Sequence, residues 1–157
     1  MEKVTRIASF EVNHDLLTEG IYISRVDGDI VTYDLRTRAP NGGDYMSNVA
    51  MHSVEHMIAT YIRNSSIGDK VIYFGPMGCR TGFYLIVREL DAEDVLHALK
   101  ECLEKVISHE GDVFGKSRVE CGNYLELDID EAKRECARYL NVLSSREQDF
   151  KYKGADK

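Results

Sequence analysis

His52-Ser53-Val54-Glu55-His56 sets two imidazoles four residues apart with a carboxylate between them. On a helix four residues advance a little over one turn, so both rings leave the same face, while Glu55 sits about 60° round from His52. Two imidazoles so placed can grip one divalent metal ion, and Glu55 borders the site without being drawn into ligation. An ion held by two imidazoles is underligated: it asks for a third protein ligand and keeps a further position for water or substrate. Cys121, in Glu120-Cys121-Gly122-Asn123, is the candidate, because the Gly-Asn shoulder lets a thiolate approach from a separate segment. Cys79, in Gly75-Pro76-Met77-Gly78-Cys79-Arg80-Thr81-Gly82, suits a mobile acid/base instead. The plainer readings are a histidine pair on a wet helix face and a surface thiol without a role.

The elements that must position these groups follow from periodicity. Met51, Val54, Ile58, Tyr61 and Ile62 recur at helical spacing as a buried stripe flanked by the two histidines. Ser47 or Asn48 can cap that helix, and Asn64-Ser65-Ser66 with Gly68 ends it. Ile21 to Val26 and Ile30 to Leu35 read as a hairpin turning at Asp27-Gly28, with Arg36 after its second strand. Val71 to Phe74 and Phe83 to Val87 read as two more strands, split by the glycine-rich loop that carries Cys79. Asp91 should cap a long helix running to about His109, and Asp130 a last one running to about Ser144. The sum is an α+β fold, a roughly four-stranded antiparallel sheet packed against helices.

At 157 residues with 43% hydrophobic content, the chain suits one domain over 1–157, with a charged, frayed tail from Lys151 to Lys157. No apolar run approaches the roughly 20 residues of a membrane span, and Met1-Glu2-Lys3-Val4-Thr5-Arg6 lacks the apolar core of a signal peptide. A net charge of −7 disfavours nucleic acid and anionic membrane as partners. The location expected is cytoplasmic, where the four cysteines stay thiols. Cys102 and Cys136 fall on apolar helix faces and read as inert core residues, and His97 and His109 read as surface residues.

HxxEH is also the signature of inverted zinc peptidases, in which the Glu is an acid/base. The wider pattern points elsewhere. The histidine block, Gly75-Pro76-Met77-Gly78-Cys79-Arg80-Thr81-Gly82-Phe83-Tyr84 and Glu120-Cys121-Gly122-Asn123 resemble, in order and spacing, the three signature blocks of the S-ribosylhomocysteine lyase (LuxS) family. Ser9-Phe10-Glu11-Val12-Asn13-His14 and Tyr33-Asp34-Leu35-Arg36 resemble two further segments, so the similarity runs from about Ser9 to Leu143.

The resemblance implies a homodimer with active sites at the interface and one divalent metal per subunit on His52, His56 and Cys121. Fe2+ is the ion expected, and Zn2+ or Co2+ can substitute. It implies that Cys79 and Glu55 are the acid/base pair and that Ser9, His14 and Arg36 hold the substrate, S-ribosylhomocysteine. A Lewis acid makes the C–H beside a sugar carbonyl acidic enough for a side-chain base. Cys79, helped by Arg80 beside it and a nearby cation, would move protons at the first two carbons. Glu55 would serve the next ones and drive β-elimination of homocysteine, leaving 4,5-dihydroxy-2,3-pentanedione, the precursor of a quorum-sensing autoinducer. Tyr73 departs from the pattern, since many relatives carry an acidic residue there. The amino-acid end of the ligand is then left to a phenol, a backbone carbonyl or Glu11. Two alternatives stand beside this reading. A metallopeptidase of the inverted type would use Glu55 as base for an attacking water, but draws its third ligand from a carboxylate. A structural zinc module would close its site with a fourth ligand.

Overall fold

The computed structural model describes residues 2–154. β1 (Gly20–Asp27) and β2 (Ile30–Arg36) form the expected hairpin. Gly28 follows Asp27 at φ 63, the positive value that a primed turn demands of its first central residue. β3 (Val71–Pro76) and β4 (Gly82–Arg88) are the second antiparallel pair, and the sheet order is β1-β2-β4-β3. β2 and β4 also pair antiparallel, so the sheet is four-stranded and antiparallel throughout, as expected.

Alternation divides the sheet into two different faces. Tyr33 and Leu35 on β2, with Phe83, Leu85 and Val87 on β4, point into one apolar core with Val54, Met57, Ile58 and Ile62. Asp34 and Arg36, between and beyond those β2 residues, and Tyr84, cross-strand from Asp34, take the opposite face. Asp34 and Arg36 are nevertheless almost fully buried.

Three sixteen-residue helices cover the apolar face: α2 (Asn48–Arg63), α3 (Ala92–Ile107) and α4 (Ile129–Ser144). A four-residue helix, α1 (Ala8–Glu11), which periodicity did not reveal, precedes them. On α2 the buried stripe is Ala50, Ser53, Val54, Met57, Ile58 and Ile62. Met51 and Tyr61 are only half-buried at its edge. Ser47 caps α2, its Oγ accepting from the Ala50 N–H at 3.0 Å. Asp91 stands at the N-cap of α3 but its side chain makes no capping bond. The cap of α4 is Asp128 rather than Asp130. Its carboxylate accepts from the backbone N–H groups of Asp130 and Glu131, so Asp130 falls inside the first turn.

The tail differs from the sequence reading where it can be followed. The Ile23 N–H donates to the Phe150 carbonyl at 2.8 Å. The Tyr152 ring stacks on Tyr22 with centroids 5.1 Å apart, and its hydroxyl donates to Asp34 at 2.7 Å. This stretch is therefore packed through Tyr152 rather than frayed, and 155–157 lie outside the described residues. Among the described residues no helix is long and apolar enough to cross a membrane.

Candidate functional site

α2 presents the rings of His52 and His56 side by side, with centroids 4.7 Å apart and planes at 86°. Nδ1 of His56 lies 2.7 Å from the Phe114 carbonyl, and Nδ1 of His52 lies 3.0 Å from the Glu126 carbonyl. A carbonyl only accepts, so both Nδ1 atoms carry the proton and both Nε2 atoms keep their lone pairs free. Cys121 Sγ is 3.4 Å from His52 Nε2, and the ligand atoms of His52, His56 and Cys121 all lie within 4.8 Å of one another. Two imidazole nitrogens and a sulfur that close form a donor set that suits a divalent first-row metal and leaves a tetrahedral ion one open position.

The segment that brings Cys121 here is tied down by the same helix. Besides the two histidine bonds, Ser53 Oγ accepts from the Asp128 N–H at 2.8 Å. Gly115 allows the closest approach: it sits at φ 70, and a Cβ on it would stand 3.2 Å from His56 Nδ1. His109 supports the Phe114 side of this segment and is half-buried rather than the surface residue expected. Its Nε2 donates to the Asp112 carbonyl at 2.9 Å, its Nδ1 accepts from the Tyr61 hydroxyl at 2.7 Å, and its ring packs against Phe114.

Ser9, His14, Arg36 and Cys79 meet elsewhere, around a pocket of about 440 Å³ on the sheet face opposite the helices. Arg36 donates to both carboxylate oxygens of Asp34, at 3.1 and 2.7 Å. Burial pulls its guanidinium down, but the bond and charge of Asp34 outweigh that and hold Arg36 above its ordinary value. Burial and the Asp34 charge push the Tyr84 and Tyr152 hydroxyls up, so both stay protonated donors at neutral pH. Arg36 Nη1 lies 3.9 Å from Cys79 Sγ. Arg80, expected to act on this thiol, turns away: its guanidinium donates to the Met46 carbonyl and lies over the Tyr45 ring. Its backbone takes a left-handed φ of 63.

Sequence reasoning thus named two real groupings, but within one chain they remain apart. Glu55 is half-buried on α2 with the histidines and is not among the residues lining the pocket. Asp34, Thr81 and Tyr152 were missed. The spacing of Asp34 and Arg36 on an alternating strand was a usable signal, and Thr81 sits in the same glycine-rich block as Cys79, whereas nothing local marks a tail tyrosine. Tyr73 is 50% exposed and lines an adjoining hollow of about 260 Å³ that shares Ser9, Ser24 and Tyr84 with the pocket. Burial raises the Cys102 thiol to about 11 and pushes Cys136 higher still, so both are the inert core thiols expected. His97 is exposed, 2.9 Å from Glu101.

Comparison with known proteins bears on residues 7–150, which match the family model described as S-ribosylhomocysteinase (LuxS). A protein named S-ribosylhomocysteine lyase from Finegoldia magna is 44% identical over 147 residues, covering 90% of this chain and 94% of its own. One of the same name from Clostridium beijerinckii is 42% identical over 155 residues, 94% of this chain and 98% of its own. Another from Borreliella afzelii is 39% identical over 154 residues, with the same two coverages.

Proposed function

The chain belongs to the S-ribosylhomocysteinase (LuxS) family, and from that premise we propose how its two groupings of side chains carry out one reaction. The chain is a carbon–sulfur lyase that acts on S-ribosylhomocysteine, releasing homocysteine and 4,5-dihydroxy-2,3-pentanedione. The convergence of His52, His56 and Cys121 within 4.8 Å, with both Nδ1 atoms already committed to carbonyls, carries the mechanistic reading.

Those three residues hold the metal, for which we assign ferrous iron, with zinc or cobalt able to replace it. When bound, the ion supplies Lewis acidity beside the sugar carbonyl. Arg36 and His14, assisted by Ser9, orient the ribose by hydrogen bonds to its hydroxyls. Cys79, as thiolate, takes the proton from C2 of the opened sugar and returns one at C1, moving the carbonyl to C2. Glu55 then takes the C3 proton and returns one at C2, moving the carbonyl to C3. Finally Glu55 removes the C4 proton while the C5–S bond breaks and its electron pair leaves with the homocysteine sulfur. No external electrons are needed, since each step relocates a proton and an electron pair within the sugar.

The separation of Cys79 from Glu55 in one chain supports a homodimer, in which the pocket of one subunit faces the histidine helix of the other. Exposed apolar side chains flank both regions: Val119 and Leu125 beside Cys121, and Ile7, Phe10 and Tyr73 beside the pocket. A two-fold pair of such chains has two sites, each drawing on both copies. Four unpaired cysteines suit a reducing cytoplasm.

Thiol release from S-ribosylhomocysteine by anaerobic, ferrous- or cobalt-loaded protein tests the assignment. Glu55→Gln and Cys79→Ala should each lose turnover while keeping their metal, and full turnover in both would remove the acid/base roles. Mixing His56→Ala with Cys79→Ala chains tests the shared site. Random pairing rebuilds roughly a quarter of the native sites if each is shared, and none if each lies within a chain.

A further inference from the structure

Thr81 is buried, only 2% exposed. Its Oγ1 has two polar contacts: Arg36 Nη1 at 2.8 Å and Cys79 Sγ at 3.0 Å. A guanidinium can only donate, so Arg36 occupies one lone pair of Oγ1 and the hydroxyl proton remains for the sulfur. The backbone fixes this aim, because the Thr81 carbonyl accepts from the N–H groups of Thr37 and Arg38 at 2.9 and 3.0 Å. Arg36 is held in turn by Asp34, and Asp34 by the Tyr152 hydroxyl.

We propose that Thr81 is the fixed hydrogen-bond donor that holds Cys79 as a thiolate, the outermost link of a hydrogen-bonded chain from Tyr152 through Asp34 and Arg36. The inference rests on Cys79 being the acid/base and names the residue that keeps it ready. With a thiol, S–H could donate to the remaining lone pair of Oγ1; with a thiolate, only O–H to sulfur fits. A cation already bound to Oγ1 strengthens the hydroxyl as a donor and weakens it as an acceptor, so the second arrangement is favoured. Within one chain, the other titratable groups lining the pocket beside the thiol are Arg36 and Asp34 on β2, Tyr84 on β4, His14 before β1, and Tyr152. Arg36 bears the single fixed positive charge among them.

The test is the alkylation rate of Cys79 by iodoacetamide in the full-length, metal-loaded protein, resolved by peptide mass spectrometry. Thr81→Val keeps the shape and removes the hydroxyl, and Thr81→Ser keeps the hydroxyl. The valine variant should alkylate about tenfold more slowly at pH 7 and match the unaltered protein at pH 10, where the thiolate forms unaided. The serine variant should stay near the unaltered rate at both. An unchanged valine rate at pH 7, or an equal loss at both pH values, overturns the inference. If the valine variant does not fold, as labelling of Cys102 and Cys136 would reveal, the unaltered chain still decides. Its Thr81 methyl 13C resonance should follow pH along the Cys79 alkylation curve and lose that response in Cys79→Ala; a resonance that ignores pH overturns the inference. Expected alkylation together with full turnover in Cys79→Ala would sink the acid/base role of Cys79 and leave the Thr81 donor standing.

Discussion

The histidine helix and the pocket across the sheet solve the same problem, holding a polar side chain in place, by different means. His52 and His56 are oriented by backbone carbonyls that their own Nδ1 atoms bind, so the two rings organise the segment that delivers Cys121. Cys79 is instead exposed on one side and backed by side chains on the other: Arg36 and Thr81 next to it, Asp34 and Tyr152 behind. A metal ligand needs a defined tautomer and direction, which a carbonyl supplies. A thiol proposed to exchange protons needs charge and donors close by, and here side chains supply both. Each region is complete in its own terms, and neither contains the groups of the other.

The largest effect separates the two regions outright. Cys121→Ala should abolish stoichiometric metal binding, measured by elemental analysis after dialysis, whereas Cys79→Ala should retain one metal per chain. Loss of metal in both would mean that the regions are not independent. Next comes Asp34→Asn, which leaves a buried guanidinium without its counter-charge. The expected destabilisation is about 3 kcal/mol by urea denaturation, with metal affinity unchanged in the folded fraction. Gly115→Ala strikes the other region: a Cβ against the His56 ring at a positive φ should weaken metal affinity about tenfold, measured by chelator competition. An unaltered affinity would show that the 113–121 segment yields without disturbing the ligand.

The smallest effect concerns the core thiols, which belong to neither region. Burial raises Cys102 from 9.0 to about 11, so between those values the unfolded chain has released a proton that the native chain keeps. Stability from this source is full below pH 9 and is lost as pH rises through about 11. The melting temperature should fall by about 5 °C over that window, and Cys102→Val should flatten the slope. An identical slope in the variant would assign the loss to Cys136 and the buried tyrosines.

Much of this was legible in the chain itself. The spacing of His52 and His56 fixes one helix face, and alternation in β2 puts Asp34 and Arg36 together, because those periods are properties of the backbone. Caps were less legible: Asp128 and Asp130 offer the same chemistry two residues apart, and the tie between Ser53 and the Asp128 N–H accompanies a helix that starts at Ile129. The influence of Arg80 on Cys79 was misread, because adjacency in sequence says nothing about the direction a side chain takes.

By itself the sequence determined which residues could ligate, donate and exchange protons, since those capacities are fixed by side-chain chemistry and short-range geometry. Tertiary structure alone decided that Cys121 reaches the histidines, that Arg36 rather than Arg80 attends Cys79, and that the two groupings fall on opposite sides of the sheet. Such outcomes depend on contacts between residues tens of positions apart, and no local period encodes them.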